Sequence, residues 1–214
     1  MKRSLASVVV LGLVFATGAM VGMPVSSPMA AGQSTTAEAD LSAMVEELLA
    51  KEAIRQQIYN YSRGLDRLDK DLVIQVWHPD GTADYGGAVT NGRDLAEGLI
   101  QTLPNMTYSA HNMLDTIISV DGDTAVSETY AASSIVVPTA ERAEQGVRLG
   151  SEGVSVSLIR GRYADRWSKR DGEWALAHRA YIEDFRTVEE FPGEPQLGRG
   201  TRDRSDPSYP IYPF

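Results

Sequence analysis

The residues whose type and spacing single them out for moving a proton are the three histidines, His78, His111 and His178, and a tyrosine and an aspartate five residues apart, Tyr61 and Asp66. Tyr61 falls in line with Ile54, Ile58 and Leu65 at helical spacing, so its ring points inward and its hydroxyl needs a partner there. Asp66 stands near the end of the same pattern, beside Gly64 and Arg67. An inward carboxylate is costly unless something hydrogen-bonds it; the competing reading makes Asp66 a solvated residue paired with Arg63 or Arg67. His111 follows Tyr108, Ser109 and Ala110, between Met106 and Met113, where a histidine entering a sheet is either a structural hydrogen-bonder or a base. His78 precedes Pro79 in a turn and reads as solvated. His178 shares strand parity with Trp174 and Leu176, which aims it at the core. None of these spacings is that of a metal site.

The elements that must position these groups show in the periodicity. Apolar residues at 41, 44, 45, 48 and 49, and again at 54, 58, 61, 65 and 68, mark one long amphipathic helix with room for a bend at the charged break. Residues 69–77 read as a second short helix, stopped by a turn at His78, Pro79, Asp80 and Gly81. Residues 93–103 read as a third, introduced by Asn91 and Gly92 and closed by Pro104. Beyond Asn105, runs rich in β-branched residues at 116–120 and 124–137 flank Asp121 and Gly122, and runs at 154–169 and 173–186 flank Asp171 and Gly172. Each Asp-Gly pair predicts a tight hairpin, with a charged loop at 138–153 between the two. Helices first and antiparallel strands after predict an α+β fold in which a curved sheet wraps the helices. From Phe191 on, five prolines exclude helix and central strand, so the end is an extended arm or stays loose.

Composition bounds the rest. A chain of 214 residues that is 43% hydrophobic holds one core plus accessories. With no cysteine there is no disulfide framework, thiolate nucleophile, iron–sulfur cluster or zinc knuckle. A net charge of −9 argues against a nucleic-acid partner. Lys2 and Arg3 precede a run without charge through residue 37, with an apolar heart at 5–21. That order is the pattern of a secretory signal, with an uncleaved anchor as its competitor. The expected organisation is a signal peptide at 1–31, a linker at 32–40, one domain at 41–190 and a proline-rich arm at 191–214. The expected place is the periplasm or cell envelope, with membrane contact only through the N-terminal segment.

Residues 53–55 (Ala-Ile-Arg), 61–66 (Tyr-Ser-Arg-Gly-Leu-Asp) and 76–86 (Val-Trp-His-Pro-Asp-Gly-Thr-Ala-Asp-Tyr-Gly) together resemble the opening of a SnoaL-like domain of the NTF2-like superfamily. His111-Asn112 before residues 117–125 is similar to that family's first hairpin, and residues 161–167 and 171–179 to its last. The likeness covers about residues 45–186, and the 204–209 tail is similar to that of bacterial members. It implies a cone-shaped half-barrel, N-terminal helices packed in a curved, mainly antiparallel sheet around one apolar pocket. The pattern most resembles scytalone dehydratase, hexachlorocyclohexane dehydrochlorinase and bile-acid dehydratase, which eliminate water or HCl without a cofactor by a His–Asp pair. Their carboxylate and imidazole positions are held here by Asp66 and His111, and the tyrosine of the bile-acid dehydratase pattern by Tyr61.

The resemblance therefore implies a cofactor-independent lyase in which Asp66 orients, His111 abstracts and Tyr61 donates, acting on a small hydrophobic hydroxy compound, aromatic or alicyclic. A related branch releases formaldehyde from lignin-derived aromatics. Trp77, Tyr85, Tyr108 and Met113 are expected to line the pocket with His178, and Arg162 or Arg179 to supply any anchoring cation. Ala83 stands where relatives carry an aromatic, enlarging the pocket floor. No metal and no cofactor is expected, and a homodimer or trimer is. The alternatives are a ketosteroid-isomerase-like isomerase, a polyketide cyclase and a non-catalytic small-ligand-binding protein.

Overall fold

The computed structural model describes residues 30–138, 153–193 and 196–211. The chain divides into two compact units, Met1–Asp40 and Leu41–Phe214. The first is described only from residue 30, all of it within helix α1 (Ala30–Arg67). Residues 32–40, expected as a linker, are thus helical, since neither proline nor glycine interrupts the chain from residue 33 to residue 63. The expected signal peptide lies outside the described residues apart from its last two, and the loop expected at 138–153 lies outside them between its ends. Among the described residues no helix is long and apolar enough to cross a membrane.

The second unit continues with α2 (Lys70–Gln75), β1 (Trp77–Asp84), β2 (Thr90–Asn91), α3 (Gly92–Thr102), a 3-10 turn (Leu103–Asn105), β3 (Tyr108–Asp121), β4 (Thr124–Pro138), β5 (Gly153–Arg170) and β6 (Glu173–Pro192). The six strands form one curved, unclosed sheet in the order β2-β1-β6-β5-β4-β3. All neighbours are antiparallel except β1 and β6. Both expected hairpins form; Asp171 (φ 53°) and Gly172 (φ 87°) take the left-handed backbone that a two-residue turn with the strands' own twist demands. The α3 helix starts where Asn91 caps it, its side-chain oxygen accepting from Arg93 N at 2.8 Å and Asp94 N at 3.3 Å, a cap worth about 1 kcal/mol.

Two local readings change. His78, Pro79, Asp80 and Gly81, expected as a turn, lie within β1. Trp77 pairs with Leu176 and Thr82 with His178, so these four residues bulge opposite Ala177 alone. The bulge is what lets a proline, which has no N–H for the ladder, sit in a strand. Gly81 is required there, because a Cβ would lie 2.6 Å from Leu176 O. The apolar stripe of α1 is buried only from Ile54 onward; Leu41, Met44, Leu48 and Leu49 are each more than half exposed. The core forms where α1 meets α2, α3 and the sheet, around Ile58, Leu65, Val73, Trp77, Trp167 and Leu176. Each such side chain contributes about 1.5–3 kcal/mol by leaving water.

Candidate active site

Asp66 owes its position to the way α1 ends. Leu68 adopts φ 54°, Asp69 N donates to Gly64 O at 2.9 Å and Leu68 N to Leu65 O at 3.4 Å. This is a Schellman closure with leucine where glycine is usual, a conformation costing about 1–2 kcal/mol. Gly64 is held small because a Cβ would meet Val73 Cγ2 at 2.5 Å. Asp66 is therefore fixed in the last turn, where the helix dipole opposes a negative charge, and its compensation comes from β3. His111 N donates to Asp66 Oδ2 at 3.0 Å, and His111 Nδ1 bonds Asp66 Oδ1 at 2.7 Å. The two side chains are only 16% and 11% exposed. A carboxylate only accepts, so Nδ1 must carry the proton, and in the neutral ring Nε2 keeps its lone pair. The solvated alternative for Asp66 does not hold.

A second polar cluster lies inside the core. Tyr61, 1% exposed, meets Tyr85 hydroxyl to hydroxyl at 2.8 Å. Arg179 is fully buried and lies against two rings set edge to face, its guanidinium carbon 4.5 Å from the Tyr61 ring centroid and 4.2 Å from that of Tyr163. Its Nε and Nη2 each donate to the buried carboxylate of Asp165 at 2.8 Å. Burial works against the guanidinium charge, but the attraction and hydrogen bonds of Asp165 outweigh it and hold Arg179 well above its ordinary value. Burial also raises Tyr61, an effect that Arg179 and the bond to Tyr85 reduce. Tyr85 and Tyr163 are raised well above theirs, burial again leading. These phenols stay protonated and able to donate. Arg179 Nη1 is buried without a hydrogen-bond partner among the described residues.

The other expected site residues divide. Trp77 is buried and stacked against Gly92, whose Cβ would lie 2.0 Å from its ring; Tyr85 and Met113 pack on the same core, and Ala83 is buried in it. Tyr108 does not join them, being 41% exposed at the start of β3. Arg162 is on the outer face, bonded to Asp184 at 2.8 and 2.9 Å and to Glu128 at 3.2 Å, so the buried cation is Arg179. His178 also faces outward, a correction with a clear cause. Arg166 pairs with His178 but Trp167 with Leu176, so Ala177 is an extra residue that reverses the side-chain parity of everything after it. His178 Nδ1 bonds Thr82 Oγ1 at 2.8 Å. His78, expected in solvent, is buried, its Nε2 bonded to Ser168 O at 2.9 Å. Asp165 was missed, although the alternation Tyr163, Asp165, Trp167 signalled that all three point inward.

A cleft of about 510 Å³ lies between α1 and the two hairpin turns, reaching β3 at Val120, nine residues on from His111, and without an imidazole. A smaller one, about 300 Å³, is lined by Asn60, Arg63, Asp66 and Arg67. Among the described residues no cluster of three or more His, Cys, Asp or Glu could hold a metal ion.

A helical N-terminal half and an unclosed mixed sheet define a fold class, and the comparisons agree with it. Residues 46–180 match the SnoaL-like domain, and the chain belongs to this family. Uncharacterized proteins of Mycobacterium tuberculosis and Mycobacterium bovis are each 30% identical over 95 residues, 43% of this chain and 65% of theirs. The match thus spans just under two thirds of these curated relatives. Among solved structures, a scytalone dehydratase-like protein of Novosphingobium aromaticivorans is 18% identical, with a TM-score of 0.54 over 72% of this chain and 97% of that one. The hexachlorocyclohexane dehydrochlorinase LinA-type3 of Novosphingobium barchaimii is 14% identical, with a TM-score of 0.54 over 71% and 96%. At these identities the likeness is one of fold.

Proposed function

We propose that the chain is a cofactor-independent lyase that eliminates water, or formaldehyde, from a small hydrophobic hydroxy compound. The observation that carries this reading is the two hydrogen bonds that His111, by its ring and its backbone N–H, makes to Asp66. It fixes one tautomer and supplies the anion that stabilises the imidazolium formed when Nε2 takes a proton. The proton comes from carbon, its electron pair becomes the new C=C bond, and the hydroxyl on the neighbouring carbon departs as water with a proton from a phenol. Where the proton instead comes from a hydroxymethyl oxygen, the C–C bond breaks, formaldehyde leaves, and the same pair forms the alkene as the hydroxyl is expelled. Tyr61 and Tyr85 are the acid candidates, and the unpartnered Arg179 Nη1 supports a developing oxyanion beside them.

The names of the neighbours, a dehydratase-like protein and a dehydrochlorinase, point the same way. Five aromatic rings grouped at the core, Trp77, Tyr61, Tyr85, Tyr163 and Tyr181, favour an aromatic or alicyclic substrate. Export to the cell envelope, from Lys2, Arg3 and the uncharged run, and assembly into a dimer or trimer belong to the same proposal. The test is ultraviolet absorbance of purified protein mixed, without added metal or cofactor, with phenolic dimers and with alicyclic alcohols. A new conjugated chromophore is expected; its absence across both sets, or its strict dependence on added metal, contradicts the proposal.

A further inference from the structure

We propose that the C-terminal arm is a clamp for the His111–Asp66 pair and that Arg202 is its positioning residue. The inference rests on that pair being the site, but not on the reaction assigned to it. The arm touches both segments that carry the pair. Arg202 Nη1 donates to Leu103 O at 2.9 Å and Met106 O at 3.0 Å, and Nη2 to Ser109 Oγ at 2.9 Å. These acceptors are the 3-10 turn and the entry of β3. Ser109, 3% exposed, is two residues before His111, whose backbone N–H must meet Asp66.

The same arm grips the end of α1. Asp206, 3% exposed, accepts from Thr201 N at 2.9 Å and Ser208 N at 3.0 Å and faces Arg67 Nε at 3.4 Å. Tyr209 donates its hydroxyl to Asp69 at 3.1 Å, and Arg204 pairs with Asp69 at 3.2 Å. Arg63 donates to Ser208 Oγ at 3.3 Å and lies over the Tyr209 ring. Arg67 and Asp69 bracket the helix terminus next to Asp66. The arm therefore ties the carboxylate's helix to the histidine's strand, and misplacing such a pair by about 1 Å costs on the order of 100-fold in rate.

A planar fork is what the three acceptors demand; a lysine reaches them only as a point charge. The charged groups on the segments that carry and clamp the pair are Arg63 and Arg67 on α1, which line one cleft with Asp66, Asp69 after the helix, and Arg202, Arg204 and Asp206 on the arm. Burial lowers Arg202 from its ordinary value, and Asp66 is the group that draws it back up, so the fork senses the carboxylate it positions.

The test uses the full chain with 15N-labelled histidine rings and reads long-range proton–nitrogen spectra, which need no substrate. The wild type is expected to show His111 as one neutral tautomer protonated at Nδ1. In Arg202→Met, folded by circular dichroism, its ring signals move toward the tautomer average, while those of His78 and His178 stay. Arg202→Lys falls between. Should Arg202→Met fail to fold, Ser109→Ala removes the acceptor of Nη2 alone and is expected to move the same His111 signals. Unchanged His111 signals in whichever of these variants folds overturn the clamp, whether or not the elimination chemistry stands.

Discussion

Asp66 holds His111 twice, one carboxylate oxygen taking the ring Nδ1–H at 2.7 Å and the other the backbone N–H at 3.0 Å. The first bond selects the tautomer and the second fixes the strand that presents the ring. Asp66→Asn has one acceptor for two donors and turns an NH2 toward one of them. Turnover is expected to fall by about 10³–10⁴-fold, as when the orienting carboxylate of a catalytic triad becomes an amide. Steady-state rates checked against a thermal melt separate this from unfolding, and an Asn variant that is folded and fully active contradicts the orienting role.

The Tyr61 hydroxyl, bonded to that of Tyr85 at 2.8 Å, sits on a ring the core would bury anyway. Tyr61→Phe keeps the packing and removes only the donor. A loss of about 10²–10⁴-fold in kcat is expected, the range of a general acid, with Tyr85→Phe losing less. If Tyr85→Phe proves the more damaging, the acid is Tyr85.

Asp165 and Arg179 are 3% and 0% exposed and compensate each other's charge. Asp165→Asn leaves a buried guanidinium without its counter-ion and is expected to destabilise the fold by about 3–5 kcal/mol, measured by urea unfolding. Arg162→Ala, on the outer face, is expected to leave both stability and turnover close to wild type. A substrate-binding role for Arg162 returns if that variant raises KM with kcat unchanged.

Tyr61, Tyr85 and Tyr163 are all raised above 10.0, chiefly by burial. The folded chain thus holds protons that the unfolded chain releases near pH 10. Their contribution is complete below that value and is lost as pH rises through it toward the folded values. Absorbance at about 295 nm should therefore show fewer than the nine tyrosines ionising before far-ultraviolet dichroism reports unfolding. All nine titrating together near pH 10 in a still-folded chain contradicts the buried cluster.

Much of this was legible in the residues. The two Asp-Gly hairpins, the helix carrying Tyr61 and the helix capped by Asn91 follow from local patterns that the fold leaves undisturbed. What was hidden depends on partners distant in sequence. Ala177 becomes a bulge only against Trp167 and Arg166, and that single residue exchanges His178 for Arg179 on the inner face. The Pro79 segment looks like a turn until Leu176 supplies the other side of the bulge. Arg202 is 91 residues from His111, and nothing local marks an arginine in a proline-rich tail as a fork for three acceptors.

The central claim, that the His111 imidazole is the base, is tested most directly by His111→Ala, with turnover and ligand affinity measured on the same folded sample. The account predicts turnover lost by at least about 10²-fold, as expected for removal of a general base, with affinity close to wild type. Turnover equal to wild type in that variant would contradict it.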